Sequence, residues 1–145
     1  MDIGIINGPN LDRLGKREPE VYGTRTLADL EREVTEHATA RGLRARCFQS
    51  NHEGEIIDTL ARWADEGVRL LVINPGGHTH VSVALRDAVA GSGMRAIEVH
   101  LSNIYKREPF RHVSVTGGAC EGVITGLGFA GYKLAVDYLA DGAKS

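Results

Sequence analysis

The strongest constraint on this chain is an alternation that runs along its length: a short apolar run, an amphipathic helical pattern, then another short apolar run. The apolar runs fall at residues 3–6, 45–48, 70–73, 96–99 and 113–115, each bounded by turn residues. Between them, Leu27, Leu30, Val34 and Ala38 recur at helical spacing behind Thr26 as N-cap, with Asp29 three residues on. Ile56, Ile57, Leu60, Ala61 and Ala64 mark a second helix, with Ser50-Asn51-His52-Glu53 read as its capping box. Val81, Ala84, Leu85, Ala88 and Val89 mark a third, and Leu134, Ala135, Tyr138 and Leu139 a last one ending near Asp141-Gly142. Strand and helix in alternation require right-handed crossovers and a parallel sheet covered on both faces. The expected fold is α/β: a flavodoxin-like three-layer sandwich with a five-stranded parallel sheet and helices on both faces. All 145 residues fit a single catalytic domain, 1–145, burying about two thirds of its unfolded surface.

In such a sheet ligands bind beyond the carboxyl ends of the strands, beside the point where strand order reverses. That rule selects Asn7 to Asn10 after the first run, Asn74 after the third and His100 at the end of the fourth. A net charge of -2 and a pI near 6.3 argue against nucleic acid as a partner. The bases are locally clustered, however: Arg13, Lys16 and Arg17 in one loop, Lys106, Arg107, Arg111 and His112 in another. Where those loops meet, a small anionic molecule can be held; solvated loop charge is the competing reading. Cys47 and Cys120 form neither a disulfide framework nor a C-x-x-C pair, which suits a reducing cytosol. No run approaches the length of a membrane span, so a cytoplasmic protein with no membrane partner is expected.

Arg17 and Tyr22 share a loop bracketed by Gly15 and Gly23. A tyrosine serves as a base near neutral pH only if its anion is favoured by about 4 kcal/mol over its reference state. An arginine about 4 Å away, at an effective dielectric of ~20, supplies roughly that amount. Tyr22 is therefore a candidate base and Arg17 its cationic partner, against the plainer reading of a ring packed on a surface. Glu98 and His100 lie two apart on a strand and so on one face, where a carboxylate fixes the imidazole tautomer for a general acid; a surface pair is the alternative. Asn74-Pro75-Gly76-Gly77-His78-Thr79-His80 reads as a glycine turn leading to a helix N-terminus, with Asn74 and His80 as hydrogen-bonding groups; simple turn-and-cap chemistry with Thr79 or Ser82 explains it equally.

Two other classes fit single features. His78, His80 and His100 are conceivable ligands of a metal-dependent hydrolase, but nearby arginines disfavour a dication and no H-E-x-x-H motif is present. Gly126-Leu127-Gly128-Phe129-Ala130-Gly131 satisfies G-x-G-x-x-G formally and suggests a nucleotide-binding module. It lies at the wrong end of the chain for that role, and close helix packing explains it better.

Taken together these blocks resemble the type II 3-dehydroquinate dehydratases. The resemblance is carried by Gly8-Pro9-Asn10-Leu11, Leu14-Gly15, Arg17-Glu18-Pro19, Tyr22-Gly23, residues 49–55, Asn74-Pro75-Gly76, Thr79-His80, residues 82–88, residues 98–103, Arg107-Glu108, Phe110-Arg111 and Gly131-Tyr132, in order over nearly the whole chain. It implies a hydro-lyase that converts 3-dehydroquinate reversibly to 3-dehydroshikimate by anti elimination through an enolate, with no cofactor and no metal, in the shikimate pathway of aromatic amino acid biosynthesis or in quinate catabolism. By motif, Tyr22 is the proton acceptor at C2, and Arg17, on a mobile lid, steadies its anion. Asn10 holds a water on the enolate oxygen, His100 protonates the leaving hydroxyl and Glu98 orients it. Asn74, His80 and Arg111 match positions that bind substrate hydroxyls, Leu101 and Ser102 those that grip its carboxylate, and Arg107 is a secondary candidate. The resemblance also implies a homododecamer, a tetramer of trimers, in which Asp87 reaches a neighbour's site. His78 and Val81 depart from the usual residues: His78 is expected to alter the pocket wall or its pH response, and Val81 removes a hydroxyl beside the helix start.

Overall fold

The computed structural model describes residues 1–16, 20 and 23–143. Arg17 and Tyr22 lie outside the described residues. Five parallel strands, β1 (Asp2–Asn7), β2 (Arg44–Gln49), β3 (Leu70–Asn74), β4 (Arg95–His100) and β5 (Gly122–Thr125), form one sheet in the order β2-β1-β3-β4-β5. Among the described residues the α-helices are α1 (Leu27–Ala40), α2 (Glu53–Asp65), α3 (Val83–Ser92) and α4 (Gly128–Ala143). Strand order reverses between β1 and β3, so Asn7 to Asn10 and Asn74 flank the switch point as the sequence rule requires.

Period-two side-chain alternation divides the buried residues between two cores. Ile3, Ile5, Val72, Val99, Leu30, Val34, Tyr132 and Leu139 pack on one side, beneath α1 and α4. Ile6, Leu71, Ile73, Ile56, Leu60, Leu85 and Val89 pack on the other, beneath α2 and α3. The central strands are buried on both faces, which explains why they read as continuous apolar runs.

Local signals decide where elements begin. Thr26 accepts a hydrogen bond from the Asp29 amide while Asp29 accepts one from the Thr26 amide, so the capping box expected of α1 is present and contributes about 1 kcal/mol. At α2 the expected box is not formed. His52 is the N-cap without a side-chain bond, and Ser50 instead accepts from the His52 amide and donates to Glu55. The third helix begins after Val81, which is exposed, because Ser82 caps it through the Leu85 amide.

The fifth strand corrects the sequence reading. Residues 113–115 are not a strand; β5 is Gly122–Thr125. Val113 is exposed, and the segment crosses the carboxyl end of the sheet, its Val115 amide donating to the Thr79 carbonyl at 2.7 Å. Arg86 then donates to the Val115 carbonyl at 2.8 Å. The late glycine run packs as expected of a helix against a sheet: a Cβ on Gly131 would sit 3.3 Å from Ile124 and 3.4 Å from Val99.

Candidate active site

A cavity of about 140 Å³ opens at the carboxyl end of the sheet, between the exits of β1, β3 and β4. Its lining includes Asn10, Asn74, His80, His100, Leu101, Ser102 and Arg111, together with Arg13 and Arg107. Seven residues singled out from sequence thus converge on one concavity, and Glu98 stands directly behind His100. Asp87 does not join them; it is exposed on α3. His78 is also absent from the lining, and its Nε2 is buried with no hydrogen-bond partner among the described residues.

The floor is fixed by backbone. The Gly8 amide donates to the Asn74 carbonyl at 2.8 Å, joining the exits of β1 and β3, and any Cβ at Gly8 would lie 2.4 Å from the Pro75 carbonyl oxygen. Asn10 follows in the left-handed region at φ 71°, a conformation asparagine tolerates better than most residues, and its amide donates to Asn51 Oδ1. Asn74 is held from two sides. Its Oδ1 accepts from the Gly76 amide and its Nδ2 donates to the hydroxyl of Tyr132, which in turn donates to Asn7 Oδ1 at 2.5 Å. These contacts fix the orientation of the Asn74 amide. Burial pushes the Tyr132 phenol well above its ordinary value, so it acts here as a neutral hydrogen-bonding group.

β4 carries the reactive pair. Glu98 is fully buried and His100 is 6% exposed, facing the cavity. His100 Nε2 lies 2.9 Å from Glu98 Oε2. Ser114 also donates to Oε2, at 2.7 Å, and Thr116 donates to Oε1. Burial alone would raise the Glu98 carboxyl, but the hydrogen bonds from His100, Thr116 and Ser114 outweigh it and hold the group below its ordinary value. An ionised Glu98 can only accept, so Nε2 carries a proton and Nδ1 is the nitrogen left to exchange one with a ligand. His80 stacks beside His100 with ring centroids 6.5 Å apart, and its Nδ1 donates to the Val113 carbonyl at 2.8 Å. The opposite rim is cationic: Arg107 and Arg111 share Glu108 as ion-pair partner, and Arg13 adds a further guanidinium.

The backbone at the end of β4 is clamped as well. The Gly126 amide donates to the His100 carbonyl and the Gly128 amide to the Leu101 carbonyl, which fixes Leu101 and Ser102 at the cavity wall. Among the described residues no group of three or more His, Cys, Asp or Glu side chains is placed to hold a metal ion. His78, His80 and His100 do not form the ligand set of the hydrolase reading. Sequence reasoning missed Ser114, Thr116 and Tyr132 as parts of the site. Ser114 was hidden by reading residues 113–115 as a strand, Thr116 by its place in the glycine-rich stretch that follows, and Tyr132 by its helical period, which marks it as core.

The site combines a buried acid dyad with a cationic rim, which suits proton transfer to a leaving oxygen on a small anion. A family model described as Dehydroquinase class II matches residues 1–140. A 3-dehydroquinate dehydratase 2 of Corynebacterium efficiens is 54% identical over 143 residues, covering 97% of this chain and 98% of its own. A 3-dehydroquinate dehydratase of Ralstonia pickettii is 53% identical over 140 residues, covering 97% of this chain and 90% of its own. The crystal structure of a type II dehydroquinase from Butyrivibrio crossotus superposes with a TM-score of 0.93 at 46% identity, over 96% of this chain and 97% of that one.

Proposed function

We propose a mechanism for a chain that belongs to the class II dehydroquinase family: it is a hydro-lyase that eliminates water from 3-dehydroquinate to give 3-dehydroshikimate. The observation that carries the assignment of roles is the buried Glu98–His100 pair presented to a cavity with an arginine rim. A β-hydroxy ketone loses water most easily by removal of the acidic proton next to the carbonyl, then departure of the hydroxyl from the resulting enolate. Each stage needs its own proton-transfer group.

Tyr22 is assigned as the base, ionised beside Arg17, taking the C2 proton while the electron pair moves onto the carbonyl oxygen. Asn10, at the cavity floor, holds a water that hydrogen-bonds to that oxygen, which lowers the enolate's energy as an oxyanion hole does. His100 in its imidazolium form gives its Nδ1 proton to the C1 hydroxyl as the C–O bond breaks and the enolate collapses to the conjugated enone. Water leaves, and Tyr22 and His100 then exchange their protons with solvent. Glu98 keeps the ring oriented and its positive charge compensated. Asn74, His80 and Arg111 bind the substrate hydroxyls, Leu101 and Ser102 receive its carboxylate, and Arg107 adds positive charge at the rim. Every one of these groups is supplied by the protein, and no step of the scheme calls on a metal or organic cofactor.

The exposed position of Asp87 on α3 suits a residue that serves a neighbouring subunit, and we assign the working form as a dodecamer of four trimers. No helix among the described residues is long and apolar enough to cross a membrane. A cytoplasmic setting in the shikimate pathway, or in quinate breakdown, fits the reaction. The test is direct: 3-dehydroquinate added to purified, chelator-treated protein is expected to give the ultraviolet absorbance of a conjugated enone. No absorbance change from folded protein overturns the assignment.

A further inference from the structure

We propose that Ser114 and Thr116 are positioning residues of the elimination: their two hydroxyls hold the buried pair as imidazolium and carboxylate, against the neutral pair in which the proton crosses from His100 Nε2 to Glu98. The inference rests on the role of His100 as the acid that protonates the leaving hydroxyl.

The two forms of the pair contain the same number of protons and differ only in which atom, Nε2 or a carboxylate oxygen, holds one of them. In the neutral form Nδ1 still bears hydrogen, but on an uncharged imidazole, which is a far weaker acid. With Glu98 fully buried and His100 nearly so, desolvation favours the neutral form. The opposing interactions are local. Ser114 Oγ lies 2.7 Å from Oε2, Thr116 Oγ1 is hydrogen-bonded to Oε1, and both hydroxyls donate. The direction at Ser114 is reinforced because its oxygen already accepts from the Gly117 amide at 2.8 Å, which leaves its hydrogen for the carboxylate. Protonating Glu98 removes acceptor capacity from the very oxygens these hydroxyls use.

Among the described residues, neither of the other titratable groups at the pair supplies this bias. Cys120, from the same turn, is pushed up to about 12 by its burial and by the Glu98 charge, so it stays a neutral thiol. His80 has its Nδ1 committed to the Val113 carbonyl, and its ring stacks beside that of His100. The hydroxyls cannot drift, since the Val115 amide is tied to Thr79 and the Val115 carbonyl to Arg86. The segment that resembles a strand in sequence thus runs, with Thr116 just past it, as a turn that delivers two donors onto a buried carboxylate.

The test uses Ser114→Ala and Thr116→Val, singly and together, with Thr116→Ser as the conservative variant. Protein with 15N-labelled histidine is followed by NMR across pH, alongside steady-state kinetics on 3-dehydroquinate. In the low-pH form of the native protein both His100 ring nitrogens should resonate as protonated. In the double variant Nε2 should resonate as unprotonated while Nδ1 keeps its hydrogen, with kcat reduced about tenfold or more and KM nearly unchanged. Thr116→Ser should behave as native protein. If the double variant does not fold, Ser114→Ala alone is read by the same signature. A doubly protonated ring in the variants, or a KM increase with kcat intact, overturns the proposal. Failure of native protein to form the enone overturns the reaction itself, while the ring signature still decides the role of the hydroxyls.

Discussion

Two carboxylates at opposite ends of the sheet, Asp2 and Glu98, are both held below their ordinary values, and by different means. Asp2 opens β1 at the amino end, where Arg44 is its strongest partner and Arg46 a second, with Nε–O distances of 2.7 and 2.8 Å. The Asp2 side chain is itself only 10% exposed, but its stronger partner reaches water, the Arg44 side chain being 81% exposed. Glu98 ends in a dry interior at the carboxyl end, held by neutral hydroxyls and one imidazole. A guanidinium in water compensates charge cheaply and loses little when removed. Hydroxyl donors around a buried anion leave its charge directed at a single neighbour, and that neighbour is His100. The same direction of shift is thus stabilisation by a solvated partner at one end and reactivity at the other.

The sharpest way to break this contrast is Glu98→Gln. The amide would place an NH2 among donors that need an acceptor and remove the negative charge beside His100, so turnover should fall by about 10²-fold or more in stopped assays of enone formation. Activity within a few-fold of native would show that the charge is dispensable and that Glu98 is no different in kind from Asp2. Next in size is Tyr132→Phe, which tests whether a neutral buried anchor behaves like the charged one. Losing the hydroxyl leaves Asn7 Oδ1 and Asn74 Nδ2 without their partner, at a cost of about 1–3 kcal/mol measured by urea unfolding. The smallest effect belongs to Asp2→Asn, about 0.2–1 kcal/mol and shrinking with added salt. Because the folded-state value of Asp2 is lowered, its contribution is complete above the unfolded carboxylate range and fades as pH falls through the folded value. Unfolding curves of native and variant protein should therefore converge in acid; a difference that grows as pH falls would reverse the assignment.

The same contrast explains what could be read from the residues alone. Glu98 and His100 were legible because a strand's period of two is rigid: two residues apart, at a strand's carboxyl end, they must share a face beside the switch point. The Thr26–Asp29 box was legible because both halves of the interaction lie within four residues. Ser50 misled at α2 because its hydroxyl can reach either the next turn or the helix, and the choice depends on Glu55 and on tertiary position. Residues 113–115 misled because Val-Ser-Val alternates like a half-buried strand. What holds the segment away from the sheet is Thr79, Arg86 and His80, all distant in sequence. The true β5 is short and begins with glycine, at the sheet's edge, where periodicity is weakest. The Arg17 and Tyr22 assignment lies outside the described residues and rests on their shared glycine-bracketed loop and on family resemblance.

The joint between Gly8 and Asn74 has a final consequence. With the first residue past β1 pressed against the backbone past β3, two of the walls that a ligand meets are welded, and a single methyl group at position 8 would prise them apart. Selection among similar ring acids must then come from how well each matches a preset mould, since this side of the pocket has no slack with which to accommodate a misfit.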